Sequence, residues 1–231
     1  MSKDCNNKIK KNILYIYTFM FLLIINGFGA PKLNLEIKNA WGDNDCGTGQ
    51  EENKYAQWSI RVTNYDSSAV DRSKIKIRFY VNHSTSVQRN GPWDGSSATT
   101  VSMGSSCGSG SRIANQYVEV TLPSGTIAAN GGQYTSDKLM DIYRDNWAGP
   151  PFDVDCDDYS KLPQDTNWYN DPYFTIYYDG ELVCEWTSSS TQDANSGVDP
   201  CSGGSACDST STPTNTPTNT PTFIINKNIN V

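Results

Sequence analysis

Lys74-Ile75-Lys76-Ile77-Arg78-Phe79-Tyr80-Val81 decides the fold class. Ile75, Ile77, Phe79 and Val81 fall on one side of an extended chain, and Lys74, Lys76, Arg78 and Tyr80 on the other. This is the period-two pattern of an antiparallel strand with one dry face and one wet face. The same alternation recurs at Leu33, Leu35 and Ile37, at Trp58, Ile60 and Val62, and at Val118, Val120 and Leu122. From 173 to 186, Tyr-Phe-Thr-Ile-Tyr-Tyr leads into Asp179-Gly180 and then Glu-Leu-Val-Cys-Glu-Trp. An Asp-Gly pair between two alternating runs signals a tight hairpin, because the turn needs positive φ at both positions. No long stretch has helical spacing. Short strands separated by Gly, Asn and Ser loops predict an all-β chain, an antiparallel β-sandwich with jelly-roll topology and about nine strands.

The flanks read differently. Lys3, Lys8, Lys10 and Lys11 precede an apolar run from Ile13 to Ile25, and small residues follow at Gly27, Gly29 and Ala30. This is the layout of a signal peptide over residues 1–29, with cleavage expected after Gly29 and an uncleaved anchor as the alternative. The net charge is −7 for the whole chain and −10 once that segment is gone. Such an acidic chain would repel nucleic acid and anionic lipid, and it suits a neutral ligand or a cation. Six of the seven cysteines lie beyond the signal, at 46, 107, 156, 184, 201 and 207. An even number in a secreted chain predicts disulfides, and the pairing stays open. Cys201 and Cys207 lack Cys-x-x-Cys spacing and His83 is the sole histidine, which argues against zinc. Residues 30–187 make one domain of ordinary size. Residues 188–222 form a Ser/Thr/Pro-rich linker ending in repeated Thr-Pro-Thr-Asn, and 223–231 a short tail.

Catalytic chemistry finds little support. A Ser-His-Asp or Cys-His arrangement would depend on His83 alone, in a polar Asn-His-Ser loop. Two carboxylates suffice for glycoside hydrolysis, but no acidic pair sits in a recognisable motif. The acidic run Asp153-Val-Asp155-Cys-Asp157-Asp158 is the candidate metal site, since Ca²⁺ takes about six to eight hard oxygen ligands. A solvated acidic loop is the competing reading. The other resource is aromatic, with 6 Trp and 13 Tyr. Sugar rings present flat C–H faces that pack on aromatic rings. Trp41, Trp93, Trp147 and Trp168 lie in loop-like surroundings, whereas Trp58 belongs to the core face of its strand. Asn82-His83-Ser84 is an N-glycosylation acceptor.

These segments together resemble family 3 carbohydrate-binding modules. The resemblance rests on Trp58–Val62 with Thr63-Asn64, on 67–75 and Arg78-Phe79-Tyr80, and on Tyr117-Val118-Glu119-Val120. It continues through the turn at Gly131, Arg144-Asp145-Asn146-Trp147, Asp157-Asp158-Tyr159-Ser160 and the Asp179-Gly180 hairpin. It implies a nine-stranded jelly-roll sandwich that binds cellulose and carries a structural calcium. The family's flat aromatic strip would place Trp147 first, with Trp93 and Asp94 nearby and Tyr159 as a polar-face tyrosine. The strip's arginine corresponds to Asp141, so its ion pair is not reproduced. Calcium would be held by Asp157, Asp158, Asn82 and Ser84, with Asp153 and Asp155 as added carboxylates. Glycosylation of Asn82 and calcium binding by it exclude each other.

The expectation is therefore a secreted, non-catalytic module for cellulose or a related β-glucan. It has no nucleic-acid partner and no membrane attachment after signal cleavage. Its linker would join a catalytic domain or another protein. A structural wall or matrix protein, and less favourably a small secreted glycoside hydrolase, are the alternatives.

Overall fold

In the computed structural model, Ile75, Ile77, Phe79 and Val81 turn inward and are fully buried, as their alternation requires. The structure describes residues 30–42, 56–83, 85–137, 139, 141–143, 159–160, 167–193, 196–202 and 207. Their strands are β1 (Leu33–Gly42), β2 (Ala56–Asn64), β3 (Val70–Asp71), β4 (Ile75–Val81), β5 (Gln88–Asn90) and β6 (Ser97–Ser109). They continue with β7 (Arg112–Thr121), β8 (Thr126–Ile127), β9 (Gly132–Ser136), β10 (Asp141–Tyr143), β11 (Phe174–Tyr178) and β12 (Glu181–Leu182). One sheet runs β1-β2-β10-β5 with β9 also on β2, a second runs β12-β11-β4-β7-β6, and β3 pairs with β8. Every pairing is antiparallel. The all-β sandwich expected from the alternation is what forms. The count rises above nine because several strands are only two or three residues long.

The two main sheets bury their apolar faces against each other. Leu33, Leu35, Ile37, Trp58, Ile60 and Val62 of the first meet Ile75, Ile77, Phe79, Val118, Val120, Phe174 and Ile176 of the second. Trp58 stacks on Phe79 with centroids 4.9 Å apart, and Phe174 meets Phe79 edge-on at 5.6 Å. Each such ring removes a large apolar area from water, worth about 1.5–3 kcal/mol on simple burial. Trp58 is thus the core residue its position predicts. Asp179 and Gly180, at φ of 53° and 90°, form the tight turn between β11 and β12.

Two features depart from the expected organisation. Trp41, read as a loop residue, lies near the end of β1 and opposite Gln57. Residues 188–202, read as linker, are folded onto the sandwich at their described positions. Cys107 of β6 is bonded to Cys201, and Cys184 to Cys207, with Cα–Cα distances of 5.0 and 4.9 Å. The composition misleads here, since Ser, Thr and Asp also suit a strap whose hydrogen bonds go to other strands. Cys46, Cys156, residues 1–29 (read as a signal peptide) and the Thr-Pro repeat lie outside the described residues.

Candidate functional site

A sandwich has two outer faces, and in this chain they differ. The outer face of the second sheet carries Lys76, Arg78 and Tyr80 from β4, Tyr117 and Glu119 from β7, and Thr175 and Tyr177 from β11. The register places Arg78 between Thr175 and Glu119. The Arg78 guanidinium lies 4.4 Å from the Tyr117 ring centroid and 4.0 Å from that of Tyr177. It pairs with Glu119 at 2.9 Å and with Asp199 at 3.3 Å. Burial works against the charge on Glu119, yet hydrogen bonds from Lys76 and Arg78 hold its carboxyl below the usual range.

Asp199 comes from the strap and closes this face. Its Oδ2 accepts from Tyr177 Oη at 2.8 Å, Tyr80 Oη at 3.3 Å and Arg78 Nη1 at 3.3 Å. Tyr80 is fully buried, and burial pushes the Tyr177 hydroxyl up to about 12. Farther along the strap, the buried Glu185 carboxyl accepts from Leu35 N at 2.7 Å and from Gly197 N at 3.1 Å. Gly197 passes so close to β11 that a Cβ there would collide with the Phe174 carbonyl. No local pattern in the sequence marked these contacts, since Arg78, Tyr80 and Leu35 meet residues more than a hundred positions away.

Tyr159, expected on a polar face, is a correction. It is 6% exposed and packs edge-on against Tyr80 at 5.6 Å and Tyr173 at 5.0 Å. Its hydroxyl donates to the Val198 carbonyl at 2.9 Å, and burial raises it to about 12. The residue fastens the strap and offers no open surface to a ligand.

Trp93 and Asp94 follow β5 and point to different ends. Trp93 is 51% exposed, the only large hydrophobic so exposed among the described residues. Its backbone is fixed by Trp93 N donating to Leu139 O at 3.3 Å. Asp94 is half-buried and accepts from the Tyr134 hydroxyl and from Ser96 N. Burial opposes its charge, but those hydrogen bonds hold the carboxyl below its usual range. Trp93 therefore faces outward, while Asp94 is engaged by its own loop and by Tyr134 of β9.

Of the expected calcium ligands, Asn82 is described; Ser84, Asp153, Asp155, Asp157 and Asp158 lie outside the described residues, as does Trp147. No group of three or more His, Cys, Asp or Glu able to hold a metal occurs among the described residues. The surroundings of Asn82 are nonetheless ordered by amides. Asn115 takes the His83 N–H at 3.1 Å and returns a bond to His83 O at 2.7 Å, and Gln116 Nε2 donates to Thr85 O at 2.8 Å. Beside them is a polar cavity of about 440 Å³ lined by His83, Ser86, Ser102, Asn115 and Gln116. Ser160 N donates to Tyr80 O at 2.9 Å, and Tyr159 N to Ile113 O at 2.9 Å. Tyr159, which follows Asp158 in sequence, is thereby fixed close to the end of β4, where Asn82 begins the loop.

The profile of the cellulose binding domain family CBM_3 matches residues 44–184, more than half of the chain. This chain belongs to the family 3 cellulose-binding domains. It is a carbohydrate-binding module, and the family is one of non-catalytic binding modules. Solved family 3 modules share the fold. The CBM3b of the scaffoldin subunit ScaA from Acetivibrio cellulolyticus is 21% identical, with a TM-score of 0.54 over 73% of this chain and 97% of that one. A scaffoldin family 3b module from Bacteroides cellulosolvens is 21% identical, with a TM-score of 0.51 over 67% and 95%. No curated protein matches the chain in sequence. The family match ends at 184, so the strap that seals the second sheet lies beyond it.

Proposed function

We propose that this module is secreted and binds cellulose or a related β-glucan through its open side, with Trp93 and Trp147 as stacking residues. The observation that carries the reading is the family match, joined by Trp93, a half-exposed indole on a fixed backbone. A rigid aromatic offers a sugar ring large contact area at low entropic cost. Two disulfides fit an oxidising, extracellular setting. The Thr-Pro repeat would then space the module from a second domain or protein, and attachment to the polymer would raise that partner's local concentration.

Retention of the mature chain on microcrystalline and on amorphous cellulose tests this. The wild type is retained, and Trp93→Ala and Trp147→Ala each weaken retention with the melting midpoint unchanged. A wild-type chain left in the supernatant with both forms would refute the reading.

A structural calcium ion belongs to the same proposal. Asn82 supplies a carbonyl oxygen, and Tyr159 is anchored near it directly after Asp157 and Asp158 in sequence. That donor set, all hard oxygens, fits Ca²⁺ and no softer metal. An ion bound only to the folded state raises stability. Chelation should lower the melting midpoint and added Ca²⁺ restore it; an unchanged midpoint counts against the site.

A further inference from the structure

The outer face of the first sheet holds Trp168, a loop tryptophan to which the resemblance assigned no role. Tyr169 exchanges both backbone hydrogen bonds with Ile37, each at 2.8 Å, so the chain around it runs antiparallel along the free edge of β1. Ile37 and Tyr169 pack toward the core, and strand alternation turns their neighbours Lys38 and Trp168 outward. Lys38 Nζ lies 4.8 Å from the Trp168 ring centroid and the Arg61 guanidinium 4.6 Å. Arg61 is in turn fixed by both oxygens of Glu36, at 2.6 and 2.5 Å. A bidentate pair with cation–π contacts holds the indole in one orientation before any ligand arrives.

Register sets Trp168 on a line with Trp93. Lys38 pairs with Ser59 and Asn39 with Trp58. Leu139 N donates to Trp58 O at 3.1 Å, and Trp93 N donates to Leu139 O. Trp168, β1, β2, Leu139 and Trp93 therefore succeed one another across the strands. Four steps of ~4.8 Å set the two tryptophan backbones on the order of 19 Å apart. On the outer side between them Ser59 is buried, Arg61 is partly exposed, and Thr135, opposite Arg61 on β9, is exposed. On the second sheet Asp199 of the strap covers Tyr80 and Tyr177 and takes up Arg78.

We propose that Trp168 is a glycan-stacking residue, and that with Trp93 it marks the two margins of a track across the first sheet in which a β-glucan chain lies. The indoles meet the C–H faces of the sugar rings. Glu36, Arg61 and Thr135 meet the hydroxyl rims, carboxylate and hydroxyl oxygens accepting and guanidinium N–H groups donating. The proposal rests on the β-glucan reading above and adds a residue and a direction to it.

The test is binding of the full mature chain to microcrystalline cellulose and to cellohexaose, for the wild type, Trp168→Ala and Trp168→Phe. Trp168→Ala should weaken binding roughly tenfold, and Trp168→Phe, which keeps a stacking face, by no more than about threefold. The melting midpoint checks that Trp168→Ala still folds. As a second readout on the wild type, oxidation of Trp168 by N-bromosuccinimide, mapped by mass spectrometry, should slow in saturating cellohexaose. Undiminished binding by Trp168→Ala, or oxidation at the same rate with and without sugar, overturns the track and leaves the wider reading standing. A wild-type chain that binds neither probe overturns both.

Discussion

Glu185 shows how one buried group sets a pH dependence. It is 3% exposed, and burial pushes its carboxyl up to about 8 against the pull of the Leu35 and Gly197 N–H donors, with Asp193 and Asp171 adding to the rise. A carboxyl that holds its proton more tightly when folded favours the folded state at low pH. Stability is therefore greatest below the ordinary carboxylate range and declines until pH passes about 8, by at most about 1.4 kcal/mol per pH unit. Asp171 is raised too, mainly by burial, and adds in the same direction. Asp94 and Glu119 are lowered, so they act at the acid end of the range instead. The melting midpoint should fall between pH 5 and 9 (a span set by the usual carboxylate range and the raised one). Glu185→Gln should flatten that slope while lowering the midpoint at acid pH, since its amide turns a donor toward a backbone N–H. A slope unchanged in the variant would assign the dependence to other groups.

Among the elements, the strap, from Glu185 through the residues to Ser202 that were read as linker from 188 on, is the one that composition hid. Its Ser, Thr, Gly and Asp residues have the make-up of a spacer, yet Asp193 N donates to Glu185 O at 2.8 Å and Val198 N to Pro172 O at 2.9 Å. Cys107 and Cys201 are 94 positions apart, so their bond restricts a long loop in the unfolded chain. On the chain-entropy account such a link contributes about 4.7 kcal/mol. Replacing both cysteines by serine should lower the midpoint in urea without changing the cooperativity of the remaining transition. A midpoint equal to that of the wild type would show that the Cys184–Cys207 bond and the contacts of Asp199 and Glu185 hold the strap without it. The strands, by contrast, were legible. Lys74–Val81 announced its inner and outer faces, and Asp179-Gly180 its turn, because both depend on neighbours in sequence.

At the scale of the whole molecule, the two outer faces of the sandwich are used differently. Arg78, Tyr80, Tyr177 and Asp199 close the second sheet, while Trp168 and Trp93 flank the first. Loosening the strap and binding polymer should therefore be separable: the Cys107→Ser, Cys201→Ser chain should keep its retention on cellulose at temperatures where it stays folded. Loss of retention with the fold intact would place the ligand on the strap side. The candidate site was less legible than the fold. Trp93 could be read from its loop as an outward aromatic, but Tyr159 could not be read as buried, since the Tyr80, Tyr173 and Val198 that enclose it are distant in sequence. By itself the sequence determined the β architecture and the family. Alternation, turn residues and the order of short motifs are local signals, and local steric and burial preferences suffice to express them. Tertiary structure alone decided which face stays open, which tyrosines are spent on packing, and that Trp168 lines up with Trp93. Those outcomes depend on register between strands and on a strap anchored by two long-range disulfides, which no stretch of neighbouring residues encodes.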